Sequence, residues 1–180
     1  MNRRATLGPV LGWTLAVTAL AVPIVVHIRA SVAAEAKPVH FGGDLYSYQT
    51  IQEVQGNLRK QGVSWQIYYE HRLGYRREHQ IFGMRVPVFH HLNHEGELTL
   101  EFLDNRLVRI LFEPKDFDAY VKELQTTERL VLRPEPNSRI VSAVTDAGLR
   151  VWANASPPMN KPVVGWADAR LEQEFNRIRD

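Results

Sequence analysis

From Thr6 to Val26 the chain carries no charged residue. The run holds Leu7, Val10, Leu11, Trp13, Leu15, Val17, Leu20, Val22, Ile24, Val25 and Val26. About 20 such residues, at roughly 1.5 Å rise each, match a hydrocarbon core of about 30 Å. Residues 6–28 are therefore expected to contact a membrane, as an N-terminal transmembrane helix. Arg3 and Arg4 precede the run, which places Met1 on the cytoplasmic side and the rest of the chain across the bilayer. A cleaved signal segment is the alternative. Small residues suited to processing lie in Ser31-Val32-Ala33-Ala34 and Ala34-Glu35-Ala36. The expected organisation is an anchor or signal segment over 1–30, a linker over 31–48 and one folded domain over 49–180. The expected location is the bacterial inner membrane, single-pass, with that domain in the periplasm.

The charge of the whole chain misleads until this segment is set aside. Residues 1–34 hold three of the 22 basic residues and no acid, which leaves 19 basic against 20 acidic residues. A near-neutral domain lacks the basic footprint that phosphate backbones require, so nucleic acid is not an expected partner. The chain has no cysteine. That excludes a disulfide framework, a thiolate nucleophile and cysteine-ligated zinc.

Beyond the linker, periodicity defines the elements. Thr50-Ile51-Gln52-Glu53 is a capping box, and Ile51, Val54 and Leu58 form one helical stripe that Gly62 ends. Val63 to Glu70 alternates as a half-buried strand, with Val63, Trp65, Ile67 and Tyr69 on one face. Leu98, Leu100 and Phe102 face a core while Glu97, Thr99 and Glu101 face solvent. Val108, Ile110 and Phe112 return beside them. A two-residue Asp104-Asn105 loop would put Arg109 opposite Leu100. A three-residue loop that includes Leu103 pairs Leu100 with Val108 and Leu98 with Ile110, so the latter register is expected.

Pro114 then opens a helix with Phe117, Tyr120, Val121 and Leu124 inward. Glu128 to Leu132 is expected as a short strand. Ser138 caps an expected helix through Ile140, Val141, Val144 and Ala147, ended by Gly148, although its β-branched residues also suit a strand. Leu149 to Ala153 and Val163 to Trp166 read as strands. Asp168 caps a last helix with Leu171, Phe175 and Ile178 inward. Helix, glycine and strand thus recur at Ile51–Trp65 and Arg139–Trp152, as an internal duplication would produce or as a common pattern would by chance.

Histidine is the enriched chemical feature: His71, His79, His90, His91 and His94 lie close together in sequence, beside Glu70, Glu78 and Glu95. Imidazoles and carboxylates suit zinc, copper or nickel, so His79, His90, His91 and His94 are the metal-ligand candidates. Their spacing is not that of HExxH or a zinc finger, and solvated histidines in a polar segment are the ordinary reading. The same stretch holds Arg72, Arg76, Arg77 and Arg85 with Tyr75, Ile81, Phe82, Met84 and Phe89. Arginine and aromatic residues dominate binding hot spots, which makes Arg72, Arg76, Arg77, Phe82 and Arg85 the expected partner-binding set. The competing reading is a longer strand pair whose apolar residues are core. Trp65, Trp152 and Trp166 are expected as core or interface aromatics. There is no GxSxG and no P-loop.

Thr50, Glu53, Val54 and Leu58 in the helix, Trp65 and Tyr68 in the strand, and Leu98, Leu100, Phe102 and Asp104 in the hairpin resemble the SmpA/OmlA (BamE-like) envelope domains. The likeness covers Thr50 to Phe112, without that group's lipid-bearing cysteine. It implies two helices on a small antiparallel sheet, and a non-enzymatic scaffold that binds other envelope proteins.

The expected fold is therefore α+β, a small antiparallel sheet with two to four packed helices. The expected function is a membrane-tethered, non-catalytic envelope protein that binds or stabilises a partner protein, with no cofactor and no small-molecule ligand. The alternative is a periplasmic metal-binding or hydrolytic domain using the histidine-rich segment 71–94.

Overall fold

The structure, a computed structural model, describes residues 37–73, 78–155 and 161–179. The expected transmembrane helix lies outside these residues. Among those described, no helix is long and apolar enough to cross a membrane.

The expectation of a small sheet is corrected. One antiparallel sheet of eight strands runs through the domain, with three helices. A two-stranded hairpin, β1 (His40–Gly42) and β2 (Leu45–Tyr46), precedes helix α1 (Ile51–Lys60). Then come β3 (Gln66–Leu73), β4 (His79–His91), β5 (His94–Leu103) and β6 (Arg106–Pro114). After α2 (Phe117–Thr127) follow β7 (Arg133–Pro134), β8 (Ile140–Val144), β9 (Leu149–Asn154) and β10 (Val163–Asp168), and α3 (Ala169–Arg179) is the last described element. The strand order is β3-β4-β5-β6-β10-β9-β8-β7. Two four-strand meanders, each preceded by a helix, thus meet where β6 pairs with β10. The helix-glycine-strand repeat expected at 51–65 and 139–152 is corrected by this arrangement. The unit that recurs is a helix plus four strands, and its second helix is α2.

The expected helix over 139–147 is strand β8. Ile140, Val141 and Val144 favour the sheet through their branched side chains, and Gly148 closes a hairpin in which the Thr145 amide donates to the Leu149 carbonyl at 2.8 Å. Glu128–Leu132 is not a strand; the pairing begins at Arg133.

The β5–β6 register is also corrected. Asp104 and Asn105 both take positive φ, 48° and 63°, which is the signature of a two-residue type I′ turn. Leu100 pairs with Ile110 and Leu98 with Phe112. A bulge makes this compatible with a buried face. Glu101 pairs with Arg109 and Phe102 with Leu107, so Val108 is the extra residue. Leu107, Ile110 and Phe112 join the inner core, and Val108 turns to the outer one.

Both faces of the sheet are therefore packed. On the inner face, Val54 and Leu58 of α1 and Tyr120 and Leu124 of α2 cover Met84, Val86, Leu98, Leu100, Phe102, Ile110, Phe112, Val164 and Trp166. On the outer face, Leu171 and Phe175 of α3 cover Ile81, Leu103 and Val108. Each large apolar side chain buried this way contributes about 1.5–3 kcal/mol before entropy is counted. Trp152 lies on the outer face against Gly165, where a Cβ would stand 2.2 Å from the indole ring.

The stretch read as a linker is part of this core. Val39, Phe41 and Leu45 are buried in the inner cluster. Ser47 Oγ accepts from the Val39 amide at 2.7 Å and donates to Asp168 Oδ2 at 3.0 Å. Asp168 also caps α3, its Oδ1 accepting from the Arg170 amide. Burial works against its charge, but the hydrogen bonds from Arg170 and Ser47 override it and hold the carboxyl below its ordinary value.

Candidate functional site

The described residues of the segment from His71 to His94 run from the end of β3 through β4 to the first residue of β5, and the structure separates the expected binding residues. Phe82 is interior, edge-on to Phe102 at 6.0 Å between centroids, and does not project. Arg85 lies on the outer face with its guanidinium 3.9 Å over the Tyr68 ring. Its Nε stands 2.8 Å from Glu97 Oε1, off hydrogen-bond alignment, so the nitrogen has charge compensation without a hydrogen-bond partner. Of the expected set, only Arg72 is exposed on a described element, the edge strand β3. Arg76 and Arg77 lie outside the described residues.

The four metal candidates do not converge. His79 Nδ1 is 2.7 Å from Asp104 Oδ2, which also holds that carboxyl below its ordinary value against the effect of burial. His90 is solvent-facing and 3.9 Å from Glu95. His94 Nε2 bonds Glu123 of α2 at 2.9 Å. His91 points instead into the inner core. The alternation of strand β4 sends consecutive histidines to opposite faces. Among the described residues no three His, Asp or Glu side chains are placed to hold a metal ion.

His91 forms a different site. Its Nδ1 meets Tyr120 Oη at 2.7 Å, and Phe112 and Trp166 stand edge-on to the ring. Burial raises the Tyr120 phenol above its ordinary value, so the phenol stays protonated and donates. Burial lowers the His91 imidazole below its ordinary value, partly offset by Glu128. When the phenol donates, Nδ1 accepts and the proton of the neutral ring is on Nε2, the nitrogen that faces Gly42; a Cβ there would come within 2.9 Å. A cavity of about 90 Å³ opens beside it, lined by His40, Leu124, Glu128, Leu149, Val151 and Trp166 among others. Sequence reasoning left these partners unconnected because α2, β10 and the β4 end are far apart in the chain.

A second polar constellation lies under α3. Glu101 is buried and accepts from both Tyr69 Oη and Arg109 Nε, while the Arg109 guanidinium sits 4.8 Å over the Phe175 ring. Burial opposes the Arg109 charge, and Glu101 outweighs it, raising the guanidinium above its ordinary value. Burial and the Glu101 carboxylate both raise the Tyr69 phenol. Glu101 was expected in solvent; α3 covers it. The opposite charges of Glu101 and Arg109 across a two-residue turn were the available signal.

One surface open to a macromolecule among the described residues is the β3 edge. Strand β3 pairs with β4 on one side and with no strand on the other among the described residues. Ile67 and Tyr68 are 61% and 51% exposed. A bulge between Ile67 and Tyr69 makes Tyr68 the extra residue; Ile67 stays opposite Met84 on the inner side of the edge strand, and it is Tyr69 that turns to the outer cluster, away from the face strict alternation assigned to it. From Tyr69 to Leu73 the pairing with Gly83–His79 is regular. Compared with family models, with curated proteins and with solved structures, the chain matches none of them.

Proposed function

We propose that this chain is a membrane-tethered envelope protein that acts by binding a partner protein, with the open edge of β3 as its docking surface. The observation that carries the reading is the combination on one element of an edge with no strand partner among the described residues and exposed Ile67 and Tyr68. An edge strand offers a row of hydrogen-bonding groups to another strand, and apolar side chains beside it supply burial. The BamE-like resemblance over Thr50–Phe112 points to the same class of role. The tether rests on the uncharged run Thr6–Val26 and on Arg3 and Arg4, which orient the domain to the periplasm of a bacterial inner membrane.

Two experiments test this. A photo-crosslinking residue at Ile67 in the full chain is expected to give a discrete protein adduct in membranes, while the same residue at the exposed Asp118 of α2 gives none. Equal labelling from both positions overturns the docking surface. An alkaline-phosphatase fusion after Ala36 is expected to be active; an inactive fusion there overturns the orientation.

A further inference from the structure

We infer that the strand received by this edge is the β3 of a second copy, paired antiparallel about a two-fold axis through His71. The inference deepens the proposed docking role of β3 and rests on it. Two separate features select the same register. The first is geometric. The bulge at Tyr68 interrupts the ladder, so the regular part of the edge runs from Tyr69 to Leu73, and its middle residue is His71.

The second is electrostatic. In a two-fold antiparallel pair, residues equidistant from the axis lie opposite each other. An axis at Glu70 sets two carboxylates face to face. An axis at Arg72 sets two guanidiniums face to face. Like charges directly opposite are unfavourable. An axis at His71 places Glu70 opposite Arg72 of the other copy, twice over, on one face of the joined sheet. Both residues are exposed. Glu70 uses Oε1 to accept from Gln80 at 2.6 Å, which leaves its second oxygen for the incoming guanidinium. Among the described residues Arg72 has no ion pair of its own.

The joined ladder is short, and a five-residue contact falls below the roughly 1,200 Å² typical of interfaces stable in solution. Confinement of both copies to one membrane raises their effective concentration and compensates. The pairing therefore belongs to the tethered chain.

Because the protein has no cysteine, single-cysteine variants of the full chain in its membrane report the register directly. In antiparallel pairs, opposed Cα atoms stand about 4.5–5.5 Å apart, within disulfide range. His71→Cys is expected to form a disulfide-linked dimer on mild oxidation. Glu70→Cys alone and Arg72→Cys alone place their cysteines about 8 Å from their own copies and are expected to link at least fivefold less. Glu70→Cys and Arg72→Cys expressed together, with tags of different size, are expected to link to each other. Glu70→Arg is expected to reduce the His71→Cys dimer severalfold, and Glu70→Arg with Arg72→Glu to restore it.

Equal self-linking at 70, 71 and 72 overturns the proposed register. So does no linking at 71 in a chain that resists protease like the parent. If His71→Cys fails to link while the Ile67 crosslinker captures a different protein, the second copy is wrong and the edge remains the docking surface. If neither gives a product, both readings fall.

Discussion

Glu101→Ala distinguishes a face covered by α3 from a solvent face. The Glu101 side chain is 8% exposed and that of Arg109 is 17% exposed. Removing the carboxylate leaves a buried guanidinium against Phe175 without its ion-pair partner, with only the more weakly acting Glu172 nearby, and Tyr69 loses its acceptor. Breaking a buried pair by deleting one partner costs about 3–5 kcal/mol, most of it the stranded charge. The lost Tyr69 hydrogen bond lies within that range, since the two effects share one carboxylate. Replacing both ends, Glu101→Leu with Arg109→Met, is expected to cost much less than Glu101→Ala, because no charge is then left unpaired. The assay is urea denaturation followed by tryptophan fluorescence, with Trp152 and Trp166 both buried as reporters. Comparable m-values across the set would show that only stability changed. A Glu101→Ala loss within about 0.5 kcal/mol of zero, the usual cost at an exposed site, would refute the reasoning.

Other consequences are equally direct. Phe102→Ala is expected to cost about 3–5 kcal/mol by the same assay, because the side chain is fully buried in the inner core. Gly165→Ala drives a methyl into the Trp152 indole and is expected to cost about 1–3 kcal/mol; Trp152→Leu in the same chain recovers part of that loss. His91 is held neutral in the fold, below its ordinary 6.5, so the unfolded chain binds the proton first as pH falls. Its contribution is therefore fully present above about pH 6.5 and is lost as pH drops from there toward the lowered folded value. His91→Phe is expected to flatten stability against pH over that interval. An unchanged slope in denaturation midpoints between pH 7.5 and 5 would show that another group is responsible.

Local chemistry in the sequence determined a good part of this protein. The capping box at Thr50–Glu53 forms as written, with the Thr50 hydroxyl accepting from the Glu53 amide at 3.2 Å and Glu53 returning to the Thr50 amide at 2.7 Å. The stripes of α1, α2 and α3, the alternation of β5 and the cap at Asp168 are all short-range patterns, so a linear reading reaches them. The Asp104-Asn105 turn was equally legible as a pair that tolerates positive φ. It was set aside because a bulge, which lets a tight turn coexist with a buried face, leaves no mark in a binary pattern.

Tertiary structure decided the rest. The sheet became large because β10 pairs with β6, a contact between segments some 50 residues apart, and no periodicity encodes which edges meet. That pairing carries α3 onto the outer face and turns Glu101 and Arg109 from surface charges into a buried pair. It also brings Trp166 to His91 and Tyr120. The segment 139–147 carried a cap and a stop as well as branched residues, and neighbouring strand β9 settled it as sheet because an amphipathic strand gains a ladder that an isolated helix lacks. The histidines illustrate the same division. Their clustering in sequence is real, but strand alternation and separate partners on Asp104, Tyr120 and Glu123 disperse them. The residues of the open edge could be read from the chain; that they lie on an edge follows only from the strand order, because a strand becomes an edge by what does not pair with it.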